Sequence, residues 1–272
     1  MSQLALLKAC SQKIRKEVLQ LIGSTEANLE FGTGAGGDAI KKIDLAAENA
    51  IIQTLQDHDV SCTLISEEAG TKKIGSKPSE FYVTTDPIDG TTNAIRGLPF
   101  IATSIALSKT PYLRDVETAL VSDIFHDITY TAERHQGAFR NEKKIKPSTI
   151  TLLEKAVVGA DFNTAKLGEL AAHLMPVLQK TKHLRHLGAN ALELCYVADG
   201  TTDAFIDLRG KLRVTDIAAA YLILLEAGGV MVTPEGAELD APLDAAQRVS
   251  FIATANTSLY ETIKANLDLA GR

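Results

Sequence analysis

Apolar residues recur at helical spacing at Leu4, Leu7, Ile14, Val18 and Leu21, with Lys8, Lys13, Arg15 and Lys16 between them. That pattern predicts an amphipathic helix over 3–22. A second helix is predicted from Ile43 to Leu55, with Ile51, Ile52 and Leu55 as its buried stripe. Between them lies Gly32-Thr33-Gly34-Ala35-Gly36-Gly37. Its glycine spacing fails the dinucleotide-binding pattern, which follows a strand and opens a helix. Four glycines there predict a mobile loop that closes on binding, with Asp38 and Asp44 at its exit. Runs rich in apolar and β-branched residues then predict strands at 60–65, 81–85, 101–107, 116–125, 128–133 and 137–145. Phe125 to Ile128 reads as a hairpin connection, and Asn141 to Lys144 as another turn. Past a boundary near Pro147-Ser148 the pattern alternates: strand 156–160, helix 164–179, strand 183–187, helix 189–199, strand 203–206, helix 216–227 and strand 250–254. The expectation is an α+β half over 1–147, with an antiparallel sheet, followed by an α/β half over 148–272.

The strand over Phe81–Thr85 runs into Asp86-Pro87-Ile88-Asp89-Gly90-Thr91-Thr92-Asn93. Pro87 has no N–H and a fixed φ, so the chain turns there. Eight residues then offer two carboxylates, a carbonyl and hydroxyls around one point, the donor set that hard divalent cations such as Mg²⁺ take. Gly90 lets the backbone approach a ligand, and the N–H groups after it can face an anion. Asp-Pro and Asp-Gly are also ordinary turn dipeptides. Two further acidic groups make a plain turn the poorer reading. Ser66-Glu67-Glu68 closes the apolar run Val60–Ile65, and Thr215-Asp216 opens the helical run Ile217–Leu225, which Gly228-Gly229 terminates. Asp216 therefore stands at a helix N-terminus, where an Asp can simply cap. Several carboxylates in one volume repel unless a cation joins them.

Composition narrows the class. A formal charge of −6 argues against a nucleic-acid partner. It leaves anionic substrates open, because bound cations reverse the local field. No run reaches the roughly 18 apolar residues of a membrane span, so no membrane partner is expected. Met1–Ile22 carries no signal-peptide pattern, and Cys10, Cys62 and Cys195 are few, scattered and odd in number. Buried, reduced thiols in a cytoplasmic protein are the expectation.

Taken together, Asp44, Glu67-Glu68, Asp86 through Thr91 and Thr215-Asp216-Ile217-Ala218-Ala219 resemble the inositol monophosphatase superfamily of Mg²⁺-dependent, lithium-sensitive phosphatases. Thr215 stands where that family usually has Trp. Segments 191–200 and 207–213 look like the archaeal branch, whose members often hydrolyse both inositol 1-phosphate and fructose 1,6-bisphosphate. The resemblance implies an αβαβα layered sandwich with the site between the halves, and a homodimer. It implies two or three Mg²⁺ ions. Glu67, Asp86 and the Ile88 carbonyl would hold the first; Asp86, Asp89 and Asp216 would hold the second. Glu68 would support these ligands or assist a third. Thr91 would position the attacking water with Asp44 bound to its hydroxyl, and the Gly90 and Thr91 N–H groups would contact the phosphate. Water would attack phosphorus directly, with no phosphoenzyme.

Asp207, Arg209, Lys211 and Arg213 are read as one short loop before the Asp216 helix. Arg209 falls near where many inositol-specific relatives carry a hydroxyl-binding Glu. With Asp207 it would contact substrate, and Arg209 and Arg185 would hold a second phosphate; a solvated surface charge is the alternative for both arginines. Lys211 and Arg213 read as surface charges, and His126, His135, His173, His183 and His186 as structural or surface residues. The expected partner is a small phosphorylated sugar or polyol. Hydrolysis of a 3′-phosphoadenosine nucleotide is the other substrate reading. A non-catalytic protein keeping the fold is the alternative outside the enzymes, and the presence of all expected ligands counts against it.

Overall fold

The computed structural model describes residues 1–267 except Gly36 and Asp38. The first helix, α1 (Gln3–Val18), is capped by the Ser2 hydroxyl, which accepts from the Ala5 N–H. It stops short of the expected residue 22. Leu21 turns back onto the Val18 carbonyl, and Gly23, at φ +70°, donates to Ala94. β1 (Glu30–Thr33) and β2 (Ala39–Lys41) then pair as a hairpin around the glycine segment, where a loop without strands was expected. Gly36 and Asp38 of that segment lie outside the described residues.

α2 (Lys42–Asp57) leads into β3 (Cys62–Ser66), β4 (Gly70–Ile74) and β5 (Phe81–Asp89). After α3 (Thr91–Arg96) come β6 (Ala102–Ser108), β7 (Val116–Asp123), β8 (Ile128–Glu133), β9 (Gly137–Arg140) and β10 (Lys143–Lys144). These strands form one sheet in the order β10-β9-β8-β7-β6-β5-β3-β4, antiparallel except for β3 against β5. Asn141 and Glu142, both at positive φ, make the turn expected between β9 and β10.

The remaining elements are β11 (Val157–Ala160), α4 (Leu167–Leu178), β12 (His183–Arg185), α5 (Asn190–Ala198), β13 (Ala204–Arg213), α6 (Val214–Ala227), β14 (Val230–Val232), β15 (Arg248–Thr254) and α7 (Thr257–Lys264). Their sheet runs β12-β11-β13-β15-β14, parallel around β11 and antiparallel around β15.

Three buried clusters stack the layers. α1 and α2 bury Leu7, Ile14, Ile43 and Ile51 against one face of the first sheet, with Leu64, Val83 and Ile105. The apolar sides of α5 and α6 fill the space between the sheets, where Leu192, Ile217 and Ile223 join Val121, Tyr130, Phe205 and Phe251. Leu170, Leu174, Leu259 and Ile263 of α4 and α7 cover the far face of the second sheet. α6 is apolar all round because it has a sheet on each side. The result is the αβαβα sandwich that the resemblance implies. Cys10, Cys62 and Cys195 are buried free thiols within it.

A further expectation fails. Residues 207–213 are strand, not loop: β13 continues to Arg213. A bulge between Asp207 and Leu212, with Gly210 at φ +63°, shifts the register against β15. It moves the buried side chains across the sheet. Ala204, Ile206 and Leu208 face α4, whereas Leu212 faces the helices between the sheets.

Candidate active site

The β5–β6 ladder breaks between Asp86 and Asp89, two buried residues that both line a cleft. Pro87 sits in the break, its carbonyl taken by the Thr103 hydroxyl at 2.9 Å. Asp86 Oδ1 accepts from the Ile88 N–H at 3.0 Å, which tightens the turn. Gly90, at φ +93°, then starts α3; an added Cβ would lie 3.1 Å from the Gly188 and Phe100 carbonyl oxygens. That position requires glycine for both its backbone and its space. The Thr91 hydroxyl lies 2.9 Å from Asp44 Oδ1 and 3.2 Å from the Ile88 carbonyl. The other Asp44 oxygen accepts from the Lys41 N–H at 3.0 Å, at the start of α2. The Asp44–Thr91 contact of the sequence reading is thus present.

Glu67 follows β3, and Asp216 stands in the first turn of α6, where its Oδ2 accepts from the Arg213 N–H at 3.0 Å. Glu67, Asp86 and Asp216 each bring a carboxylate oxygen within 4.8 Å of the others. Burial raises all three carboxyl groups above their ordinary values, Glu67 and Asp86 well above. Mutual repulsion adds to the rise at Glu67 and Asp86, while the Arg213 cation opposes it at Glu67 and Asp216. Hard oxygen donors converge here under electrostatic stress, as they do where a divalent cation is to be held. The residues present fit a Mg²⁺-type ion.

Asp89 is placed differently from its neighbours. Its two oxygens accept from the Asn190 and Ala191 N–H groups at 3.0 and 2.7 Å, capping the N-terminus of α5. Burial, with the Asp216 charge adding to it, still pushes its carboxyl up to about 8. A carboxylate has further lone pairs beyond those two bonds. Glu68 turns to the β1–β2 hairpin: its Oε2 would lie 2.5 Å from a Cβ at Gly34. It does not line the cleft.

The cleft between the sheets has a volume of about 690 Å³ and is lined by Glu67, Asp86, Ile88, Asp89, Gly90, Thr91 and Asp216 on the acidic side. Arg209, Lys211, Arg213 and Arg248 line it as well, with Asp161 and His186. Two substrate assignments from sequence are corrected. Arg185 is exposed on β12, donates to the Leu184 carbonyl at 2.9 Å and does not line the cleft. Asp207 is fully buried and grips Arg209 instead of facing the cleft. Arg209 also pairs with Asp161 at 2.8 Å, so two carboxylates hold its guanidinium. Arg213 and His186 were read as surface or structural residues, yet both line the cleft, and Arg213 Nη1 lies 2.5 Å from Glu67 Oε1. Asp161 was missed altogether: it follows a short strand in no recognisable motif.

The description of the matching family model is "Inositol monophosphatase family", and the match spans residues 3–269. The chain belongs to the inositol monophosphatase family. It is 36% identical, over 95% of its length and 94% of the relative's, to a fructose-1,6-bisphosphatase/inositol-1-monophosphatase of Methanothermobacter thermautotrophicus. It is 33% identical to a bifunctional NADP phosphatase/NAD kinase of Methanococcus maripaludis, of which it covers 49%. A solved inositol monophosphatase–fructose 1,6-bisphosphatase superposes with a TM-score of 0.86 at 31% identity, covering 98% of this chain and all of the other. The chain is thus a phosphatase that hydrolyses phosphoric monoesters. Among the described residues, no helix is long and apolar enough to cross a membrane.

Proposed function

We propose that the protein is a Mg²⁺-dependent sugar-phosphate phosphatase acting on fructose 1,6-bisphosphate and inositol 1-phosphate. The observation that carries this reading is the convergence of Glu67, Asp86 and Asp216 beside the Asp44–Thr91 pair, in a cleft also lined by Arg209, Lys211, Arg213 and Arg248. Glu67, Asp86 and the Ile88 carbonyl would hold one cation, and Asp86 and Asp216, with the remaining lone pairs of Asp89, a second. When bound, such ions neutralise phosphate charge and make water more acidic. Thr91 donates to Asp44, which leaves its oxygen as an acceptor that orients a water proton. The first-turn N–H groups of α3 have no partners within the helix and suit a phosphate oxygen. Lys211, exposed at the cleft, and Arg209 give a second phosphate its counter-charge. Li⁺ competes with Mg²⁺, the working form is a homodimer, the location is the cytoplasm, and the halves divide near Pro147-Ser148.

The NADP phosphatase named among the relatives keeps a 2′-phosphonucleotide in view as a second substrate. A panel of fructose 1,6-bisphosphate, inositol 1-phosphate, 3′-phosphoadenosine 5′-phosphate and NADP, assayed side by side, tests the reading. Higher kcat/KM on either of the first two supports it; preference for a nucleotide overturns the substrate assignment.

A further inference from the structure

Arg213 holds an unusual position. It is the last residue of β13, directly before α6. Its backbone N–H is bonded to Asp216 Oδ2 at 3.0 Å, and its Nη1 lies 2.5 Å from Glu67 Oε1. One residue therefore contacts two of the three carboxylates of the acidic cluster. Its backbone is fixed twice, by that bond and by pairing with Arg248 across β13–β15. The side chain lines the cleft, where it is 12% exposed. Arg209 differs, because Asp161 and Asp207 hold its guanidinium and its side chain is 6% exposed.

A guanidinium on Glu67 Oε1 competes for the carboxylate that a cation shared by the trio would also use. An ion bonded to Glu67, Asp86 and Asp216 would lie close to that guanidinium, and the two positive charges would repel. Mg²⁺ binds carboxylate oxygen at close range and demands its own geometry. The guanidinium has an alternative, because phosphate accepts its planar fork well.

We propose that Arg213 is a tethered counter-ion: it holds Glu67 when no divalent cation is present, is displaced when one binds, and then turns into the cleft to hold the phosphate. The inference rests on the metal-dependent reading above and goes beyond it. Arg213 opposes metal binding alone and favours metal binding together with phosphate. The two ligands then reinforce each other through one side chain, and the coupling is reciprocal.

The test is calorimetric titration of Mg²⁺ into the metal-stripped protein, with and without inorganic phosphate, for wild type, Arg213→Gln and Arg213→Lys. In Arg213→Gln, Mg²⁺ alone should bind about tenfold more tightly than in wild type, and the tightening caused by phosphate should shrink by a similar factor, within the roughly 5–150-fold range of such couplings. Arg213→Lys keeps a cation and should stay nearer wild type in both respects. If Arg213→Gln binds Mg²⁺ no more tightly, or keeps the full phosphate effect, the inference is wrong. If wild type binds no Mg²⁺ under either condition, the metal reading fails and takes this inference with it.

Discussion

Replacing Asp86 by Asn should stabilise the metal-free protein while removing its activity. Asp86 is 5% exposed, and burial raises its carboxyl first, with repulsion from Glu67 and Asp216 next. Asn keeps the volume and can still accept from the Ile88 N–H, so the turn survives. What it removes is charge. The trio's oxygens lie within 4.8 Å of one another, and two unit charges that far apart repel by ~3.5 kcal/mol at an effective dielectric of 20. The raised pKa values mean that part of this repulsion is already relieved by protonation, which leaves a gain of about 1–3 kcal/mol at mildly alkaline pH. For a chain of this size each kcal/mol shifts Tm by about 2–4 °C, so a rise of roughly 2–12 °C is expected in EDTA. Adding Mg²⁺ should raise the wild-type Tm and leave that of Asp86→Asn nearly unchanged. Turnover should fall by about a hundredfold or more, since the ions supply several kcal/mol of transition-state stabilisation. Thermal unfolding by circular dichroism, with EDTA or Mg²⁺, reads all of this. A variant less stable than wild type in EDTA would show that repulsion does not dominate at this cluster.

The pH dependence has a definite sign. The Asp89 carboxyl moves from 3.8 to about 8, so between those values the folded state keeps a proton that the unfolded chain has lost. Stability of the metal-free protein should fall as pH rises through that window, and the stabilisation by Mg²⁺ should grow; a Tm in EDTA that climbs from pH 5 to 8 would contradict this. Thr91→Val should cost about 1–3 kcal/mol, because it leaves Oδ1 of buried Asp44 without its donor while Oδ2 keeps the Lys41 N–H, and should lose activity that Thr91→Ser largely keeps; equal activity in both would remove the hydroxyl from the account. Arg209→Ala leaves buried Asp207 and Asp161 without their cation and should destabilise the fold by about 3–5 kcal/mol, read by urea unfolding. Lys211→Ala should spare stability and lower kcat/KM for fructose 1,6-bisphosphate by up to about tenfold, more than for inositol 1-phosphate.

The acidic segments were legible because each is local: Asp86 to Thr91 carries its own turn chemistry, and Asp216 marks a helix start. The layer order could be expected from the resemblance, and the apolar run of α6 agrees with it, since a helix apolar on every side is covered on every side. Residues 207–213 were misread for a physical reason. Four charged side chains suggested a solvated loop, yet Ile206, Leu208 and Leu212 alternate with them at the period of a strand. That period was the available signal. The partners of those charges were not legible. Asp161 reaches Arg209 and Glu67 reaches Arg213 only because the topology sets β11, β13 and the end of β3 around one cleft. Asp207 reaches Arg209 locally, from two residues away on β13, and with Asp161 it leaves the more exposed Lys211 as the freer charge for a second phosphate.

The central claim is tested most directly by phosphate release from fructose 1,6-bisphosphate and inositol 1-phosphate by the purified protein, stripped of metal and then titrated with Mg²⁺. The account predicts no release in EDTA, and release from both substrates that rises with Mg²⁺ to saturation. Release that is equal in EDTA and Mg²⁺, or none from either substrate at saturating Mg²⁺, would contradict it.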